Sequence, residues 1–167
     1  MAFPVSVFLV LAASLFQAAF PPAGPVAGIK PDLVLVLAVM ASMLLGLRYG
    51  LVLSVLGGII LDLFSGMTFG FVTLSLLLVT SLARFPNPDL LEINPLVCML
   101  VIALDSFFYY GIYSLGMLAL GGELDWFRLF TRVVLPSVVM NTLVSPLVYG
   151  LMILLGRRKM PVREDWR

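Results

Sequence analysis

Histidine is absent from this 167-residue chain, and cysteine occurs once, at Cys98. Without histidine, the chain lacks the commonest metal ligand and the commonest general base of proteins. A single thiol cannot form an internal disulfide, and Cys98 has no histidine to activate it as a nucleophile. We therefore expect no catalytic site, no metal site and no cofactor, and we predict that the protein is not an enzyme.

Charged side chains are also scarce, with ten Lys or Arg and nine Asp or Glu, which leave a net charge of +1. No basic stripe exists outside the C-terminal end, so nucleic acid is not an expected partner. Hydrophobic residues make up 62% of the chain, too many for a soluble domain of this size. Runs of roughly 16 to 26 apolar residues match the ~20 residues with which a helix crosses a ~30 Å hydrocarbon core. The sequence therefore predicts an integral membrane protein embedded in the lipid bilayer.

Short polar or Pro/Gly-rich breaks divide the apolar sequence into segments and predict six transmembrane helices. The segments cover about residues 4–20, 31–47, 49–64, 68–84, 95–120 and 129–155. No break is long enough to form a soluble domain. We therefore expect an all-α fold in which residues 1–156 form one membrane domain with short loops and residues 157–167 form a basic tail.

The positions of the cations predict on which side of the membrane the chain ends lie. An even number of spans places both termini on the same side, together with Arg48, Arg84 and the five cations of the tail. The opposite side receives three cations, Lys30, Arg128 and Arg132. Because Lys and Arg concentrate in cytoplasmic loops, seven against three predicts that both termini and the tail are cytoplasmic.

Small residues recur every four positions from the end of the second segment through the third. The row comprises Gly46, Gly50, Ser54 and Gly58, leads to Asp62, and is widened by Gly57. On a helix this spacing places the residues on one face. In lipid, where burial provides little drive between helices, small residues allow two backbones to approach closely. The row therefore predicts tight helix packing, and leaves open whether the packed helix belongs to this chain or to a partner.

Asp105 is the acidic residue expected deepest in the membrane. It follows Pro95 by ten residues, which corresponds to ~15 Å of helix. At that depth an acid costs roughly 2.5–3.5 kcal/mol unless it is paired or hydrated. Asn141 lies at a similar depth, so we expect an Asp105–Asn141 hydrogen bond that clamps two helices. A proton or ion relay, and a site that faces a ligand cavity or a partner, are the alternatives. By contrast, Asp32 and Asp62 are expected to be shallow, near the outer ends of their helices.

The order of several motifs resembles one known family. The motifs are Lys30-Pro31-Asp32-Leu33, Gly50, Gly58, the run Ile59-Ile60-Leu61-Asp62-Leu63-Phe64-Ser65-Gly66, Gly70, Asp105, Val138-Val139-Met140-Asn141 and Pro146. In this order, and followed by a basic tail, they resemble the MreD family of rod shape-determining proteins over essentially the whole chain. The run from Gly58 to Gly70, which contains Asp62 and Gly66, is the specific part of the resemblance, and Asp32 is a further polar residue of the family motif.

The resemblance implies a function that the residues alone do not. It implies a non-enzymatic subunit of the cell-elongation (rod) complex in the cytoplasmic membrane of a bacterium, supporting lateral-wall peptidoglycan synthesis. MreC is the implied direct partner, and RodA, a penicillin-binding transpeptidase and MreB are implied indirect partners. The resemblance also implies a fold similar to the membrane substrate-binding subunits of energy-coupling-factor transporters.

The alternative function is the substrate-binding membrane subunit of such a vitamin transporter. That function requires an outward-facing pocket lined by polar and aromatic groups. The residues that could line such a pocket are Asp32, Asp62, Tyr109, Tyr113 and Glu123.

Overall fold

The structure is a computed structural model that describes residues 2–19, 30–65, 68–83, 94–119, 121 and 125–156. All regular elements in these ranges are helical. They are α1 (Ala2–Ala19), α2 (Leu33–Leu44), α3 (Leu47–Ser65), α4 (Phe71–Leu82), α5 (Pro95–Ala119), α6 (Trp126–Leu129), a π-helical turn (Phe130–Val134) and α7 (Leu135–Gly156). Each predicted segment therefore corresponds to a helix. In the last segment, α6, the π-helical turn and α7 follow one another without a gap. The predicted tail, 157–167, lies outside the described residues.

The helices differ in length more than the sequence predicts. Among the described residues, three apolar stretches are long enough to cross a membrane: Leu47–Ser65, Pro95–Ala119 and Trp126–Leu154. By contrast, α2 and α4 have only 12 residues each, which corresponds to ~18 Å of helix. Both are shorter than the predicted segments 31–47 and 68–84.

A glycine with a left-handed backbone ends α2 earlier than predicted. Gly46 has a φ of 113°, and the N–H groups of Leu45 and Gly46 both donate to the carbonyl of Ala41. This arrangement closes the C-terminus of a helix and favours glycine, because a Cβ is strained at this φ. The spacing predicted that Gly46 belongs to the packing row of α3, and this prediction is wrong. Instead Gly46 forms the turn between two helices, and the row on α3 begins at Gly50.

Helix α2 lies at the centre of the bundle. Ten consecutive residues, 34 to 43, are buried, and α2 contacts α1, α3, α4, α5 and α7. Burial on every side fits a helix that has no polar face. The outward faces of the other helices are also apolar, as shown by Phe8, Leu63 and Leu147, which are 70%, 66% and 74% exposed. These faces are suited to contact with lipid.

The last helical stretch contains two prolines that remove main-chain donors. The π turn closes with the Leu135 N–H on the carbonyl of Phe130, directly before Pro136. Further along, Pro146 cannot donate to the carbonyl of Thr142, four residues earlier. The Ser145 hydroxyl donates to that carbonyl instead, at 2.8 Å. The helix therefore continues past Pro146 with the Thr142 carbonyl still hydrogen-bonded.

Candidate functional site: the polar interior of the bundle

The glycines of α3 contact neighbouring helices of the same chain. A Cβ added at Gly50 would lie 2.5 Å from the Ser42 Cβ of α2, and one added at Gly57 would lie 2.5 Å from a Val34 methyl group. Real Cβ contacts are never this short, so neither position has room for a side chain. The small residues on this face of α3 therefore pack against α2, and the partner helix considered as an alternative has no space there.

Gly58 faces the opposite neighbour, α4. A Cβ added at Gly58 would lie 2.7 Å from both the Cα and the Oγ1 of Thr73. One turn away from Gly58, the Ser54 hydroxyl hydrogen-bonds the Thr80 hydroxyl of α4 at 2.8 Å, and Ser42 of α2 donates to the Thr80 carbonyl at 3.2 Å. Helices α2, α3 and α4 are thus joined by close backbone approach and by buried hydroxyl groups.

Asp62 of α3 caps the first turn of α4. Its Oδ1 accepts from the Val72 N–H at 2.8 Å, and its Oδ2 accepts from the Thr73 N–H at 3.0 Å and the Thr73 hydroxyl at 2.5 Å. The N-cap position of α4 is Gly70, with a φ of 93° and no side chain to act as a cap. Asp62 supplies the missing acceptors, and Gly58 allows Thr73 to approach closely enough. Gly66, the remaining residue of this motif, lies outside the described residues.

Asp32 has the same role at the start of α2. Its Oδ1 accepts from the Leu35 N–H at 3.1 Å and from the Gln17 side-chain amide at 3.2 Å. The amide oxygen of Gln17 accepts from the Val34 N–H at 3.2 Å. Gln17 is a site residue that the sequence analysis missed, although a lone amide within an apolar segment was a usable signal. Asp32 and Asp62 are both buried within the bundle, at 8% and 4% exposed. Their expected shallow position in the membrane stays a prediction.

Asn141 is fully buried and joins three helices. Its Oδ1 accepts from the Asp32 N–H at 2.6 Å, and its Nδ2 donates to the Ser106 hydroxyl at 3.0 Å. The predicted hydrogen bond between Asp105 and Asn141 is therefore wrong. The neighbouring residue on α5, Ser106, takes the place that the prediction gave to Asp105, because successive side chains on a helix point about 100° apart. Asn141 does act as a clamp, but between α2, α5 and α7 through other partners.

Asp105 is the exception among the buried polar residues. It is 4% exposed, and its Oδ2 atom has no hydrogen-bond partner among the described residues. Within the same part of the chain, no other buried side-chain nitrogen or oxygen atom lacks a partner. The polar interior of the bundle therefore consists of satisfied hydrogen bonds, with one unpartnered carboxyl oxygen.

The described residues that were considered for a vitamin pocket are buried or engaged in other contacts. The carboxylates of Asp32 and Asp62 bind helix N-termini, Tyr109 is 5% exposed, and the ring of Tyr113 contacts that of Phe71 with centroids 6.4 Å apart. Glu123 lies outside the described residues. In the described ranges, no group of three or more potential ligands could hold a metal ion.

Comparison with known proteins identifies the family. The chain matches the family described as rod shape-determining protein MreD over residues 1–159. No curated protein and no solved structure matches the chain, so the expected similarity to transporter subunits has no support from a matching structure. The apolar helices described above are those of a membrane protein, as this family requires. Because the match covers nearly all of the 167 residues, the chain belongs to the MreD family of rod shape-determining membrane proteins.

Proposed function

We propose that this protein is a non-enzymatic membrane subunit of the cell-elongation (rod) complex, and that it binds MreC and supports lateral-wall peptidoglycan synthesis. The observation that carries the proposal is the family match over residues 1–159. Through MreC, the subunit would be linked to RodA and a penicillin-binding transpeptidase, and to MreB on the cytoplasmic side.

The polar interior supports a scaffold better than a transporter subunit. Asp62 binds the N-terminus of α4, and Asp32 that of α2. Asn141 uses both ends of its amide to join helices. Groups engaged in this way hold the bundle together and are not free to saturate a small polar ligand. The transporter alternative therefore gains no support from the residues that it would need most.

We also propose that the chain crosses the inner membrane six times with both termini in the cytoplasm. Seven cations on the side of the tail and three on the other side support this orientation. Trp126 and Phe127, 54% and 77% exposed, would then lie at the outer surface, where aromatic side chains suit the membrane interface. The short helix α2 is enclosed by other helices, so its length need not match the lipid.

The function is tested in rod-shaped cells that lack their own MreD-like protein. Expression of this chain should restore the rod shape. Purification of the chain in mild detergent should also recover an MreC-like protein, in an amount comparable to that of the chain itself. Gly58→Leu is the matched negative control, because Thr73 leaves no space for a side chain. Round cells containing normal amounts of folded protein would contradict the proposal. Recovery of a bound vitamin together with ATPase subunits would favour the transporter alternative.

The orientation is tested with single cysteines in a Cys98→Ser background. Cysteines at Gly24 and Gly122 should react with a membrane-impermeant thiol reagent added outside spheroplasts, and a cysteine at Asn87 should not. These three positions lie outside the described residues, in the breaks that the sequence predicts. Reaction at Asn87 from outside would overturn the orientation, whatever the result of the functional test.

A further inference from the structure

Asp105 lies far from both ends of the longest regular helix in the described chain. It is the eleventh residue of α5 (Pro95–Ala119), about 15 Å along the axis from the start and about 21 Å from the end. The side chain is 4% exposed. The Oδ2 atom is buried without a hydrogen-bond partner among the described residues. The carboxyl group of Asp105 is thus buried in the apolar interior, and no described group forms a hydrogen bond with its Oδ2 atom.

No cationic side chain on the packed helices can compensate a negative charge at Asp105. Helix α5 packs against α2, α4 and α7, and none of these helical ranges contains Lys, Arg, Asp or Glu. Apart from Asp105 itself, the titratable residues on these helices are tyrosines and a cysteine, which carry no positive charge. They are Tyr149 on α7, and Cys98, Tyr109, Tyr110 and Tyr113 on α5. The described cations lie before their helices or within the first two turns of them: Lys30, Arg48, Arg128 and Arg132.

A comparison with Asp62 shows which form of the carboxyl group fits each site. A carboxylate can only accept hydrogen bonds, and Asp62 accepts three, two of them from main-chain N–H groups. In the part of the chain that the structure describes, no donor reaches the Oδ2 of Asp105. An unpaired carboxylate is far more costly to bury in an apolar medium than a neutral acid. A neutral acid also carries an O–H that donates to a carbonyl or hydroxyl oxygen.

We propose that Asp105 is a proton-binding site in the membrane interior, and that the folded protein holds this side chain as a neutral carboxylic acid. Loss of the proton would leave a bare charge among apolar helices. Proton exchange at Asp105 therefore requires water, or a cationic group of another molecule, to reach the site. This inference concerns the chain alone and does not rest on the proposed function.

Infrared spectroscopy of the full chain in lipid bilayers at neutral pH tests the proposal. The difference spectrum between the wild type and Asp105→Asn should contain the C=O stretch of one protonated carboxyl group. Asp125→Asn is the control, because Asp125 is exposed and paired with Arg128. That variant should retain the band. A difference spectrum that contains only carboxylate bands would overturn the proposal.

A second variant and an isotope label keep the test decisive if Asp105→Asn does not fold. Asp105→Glu keeps a carboxyl group in a longer side chain, so the protonated band should move without disappearing. In wild-type protein labelled with ¹³C in the aspartate carboxyl groups, the same band should shift with the isotope. A band that is unchanged by the label, or absent from the wild type, would show that Asp105 does not hold the proton.

Discussion

The α2–α3–α4 region and the α5–α7 pair both contain glycines and a buried aspartate, but the surroundings of these residues differ. In the first region, Gly50 and Gly58 touch neighbouring helices, and Asp62 accepts three hydrogen bonds. In the second, a Cβ added at Gly111 or Gly150 would meet no atom within 4 Å, although one at Gly116 would meet the ring of Phe71 on α4. The Oδ2 atom of Asp105 has no partner among the described residues. A glycine or a buried acid therefore has no fixed meaning in this protein, because its neighbours decide its role.

The difference has energetic consequences in a membrane. Lipid tails are as apolar as the side chains they replace, so helices associate through dispersion contacts and hydrogen bonds. The α2–α3–α4 region has both kinds of contact and should tolerate change poorly. The four substitutions below test this contrast, in order of decreasing expected effect on stability.

Gly58→Leu should have the largest effect. The Thr73 backbone lies 2.7 Å from the position of the new Cβ, and backbone cannot move aside as a flexible side chain can. We expect destabilisation at or above the ~1–3 kcal/mol that is typical of overpacking, with loss of most folded protein. Detergent size-exclusion chromatography and thermal unfolding in nanodiscs measure it. Gly111→Leu, in open space, should behave as the wild type, and equal behaviour of the two variants would refute the contrast.

Asp62→Leu should have the next largest effect. The substitution removes the acceptor of the Val72 and Thr73 N–H groups, and each buried donor left without a partner costs about 1–3 kcal/mol. We expect a clear drop in the unfolding temperature in nanodiscs and a smaller drop for Asp62→Asn, which keeps one acceptor. Asp125→Asn, which alters an exposed cap and ion pair, should change little. Unchanged stability of Asp62→Leu would mean that α4 does not need this cap.

Asn141→Leu should destabilise the protein by about 1–3 kcal/mol. It removes the acceptor of the Asp32 N–H and the donor to Ser106, so the contacts between α2, α5 and α7 loosen. Thermal unfolding measures the effect, and hydrogen exchange at the start of α2 locates it. Thr142→Leu, one position along and bonded only within its own helix, is the control. An equal loss in both variants would show a general packing effect.

Asp105→Leu should have the smallest effect, within about 1 kcal/mol of the wild type and in either direction. No hydrogen bond to Oδ2 is lost, and replacing a buried polar group by an apolar one of similar size is often neutral or stabilising. Thermal unfolding beside Asp62→Leu gives the direct comparison of the two buried acids. Destabilisation as large as that of Asp62→Leu would show that Asp105 has a structural partner after all.

The sequence predicted the helices better than it predicted their contacts. Apolar length and proline-rich breaks located all six helical segments, because both signals act locally along the chain. The four-residue row was also a correct sign of close packing on α3. However, the row could not show that Gly46 belongs to a turn, since the same spacing continues across the end of a helix. The φ of 113° at Gly46 distinguishes a helix-ending glycine from a packing glycine.

The polar pairs show the same limit more sharply. Asp105 and Asn141 were paired because their depths match, but depth specifies only one of the coordinates that a hydrogen bond needs. The other coordinate is the angular position around the α5 axis. Ser106 lies on the side of α5 that faces Asn141, and the Oδ2 atom of Asp105 has no partner among the described residues. Gln17 was overlooked for the related reason that its partners lie about 15 residues away along the chain.

Composition alone determined that this protein belongs in a membrane, because a chain with 62% hydrophobic residues has too little polar surface for water. The motif order alone indicated the MreD family, because such an order is rarely met by chance. Only the tertiary structure decided that Asp32 and Asp62 cap helices, that Asn141 joins three of them, and that the Oδ2 atom of Asp105 has no partner among the described residues. Hydrogen bonds and close contacts depend on distances of a few tenths of an ångström between helices, and these distances are set by how the whole bundle packs.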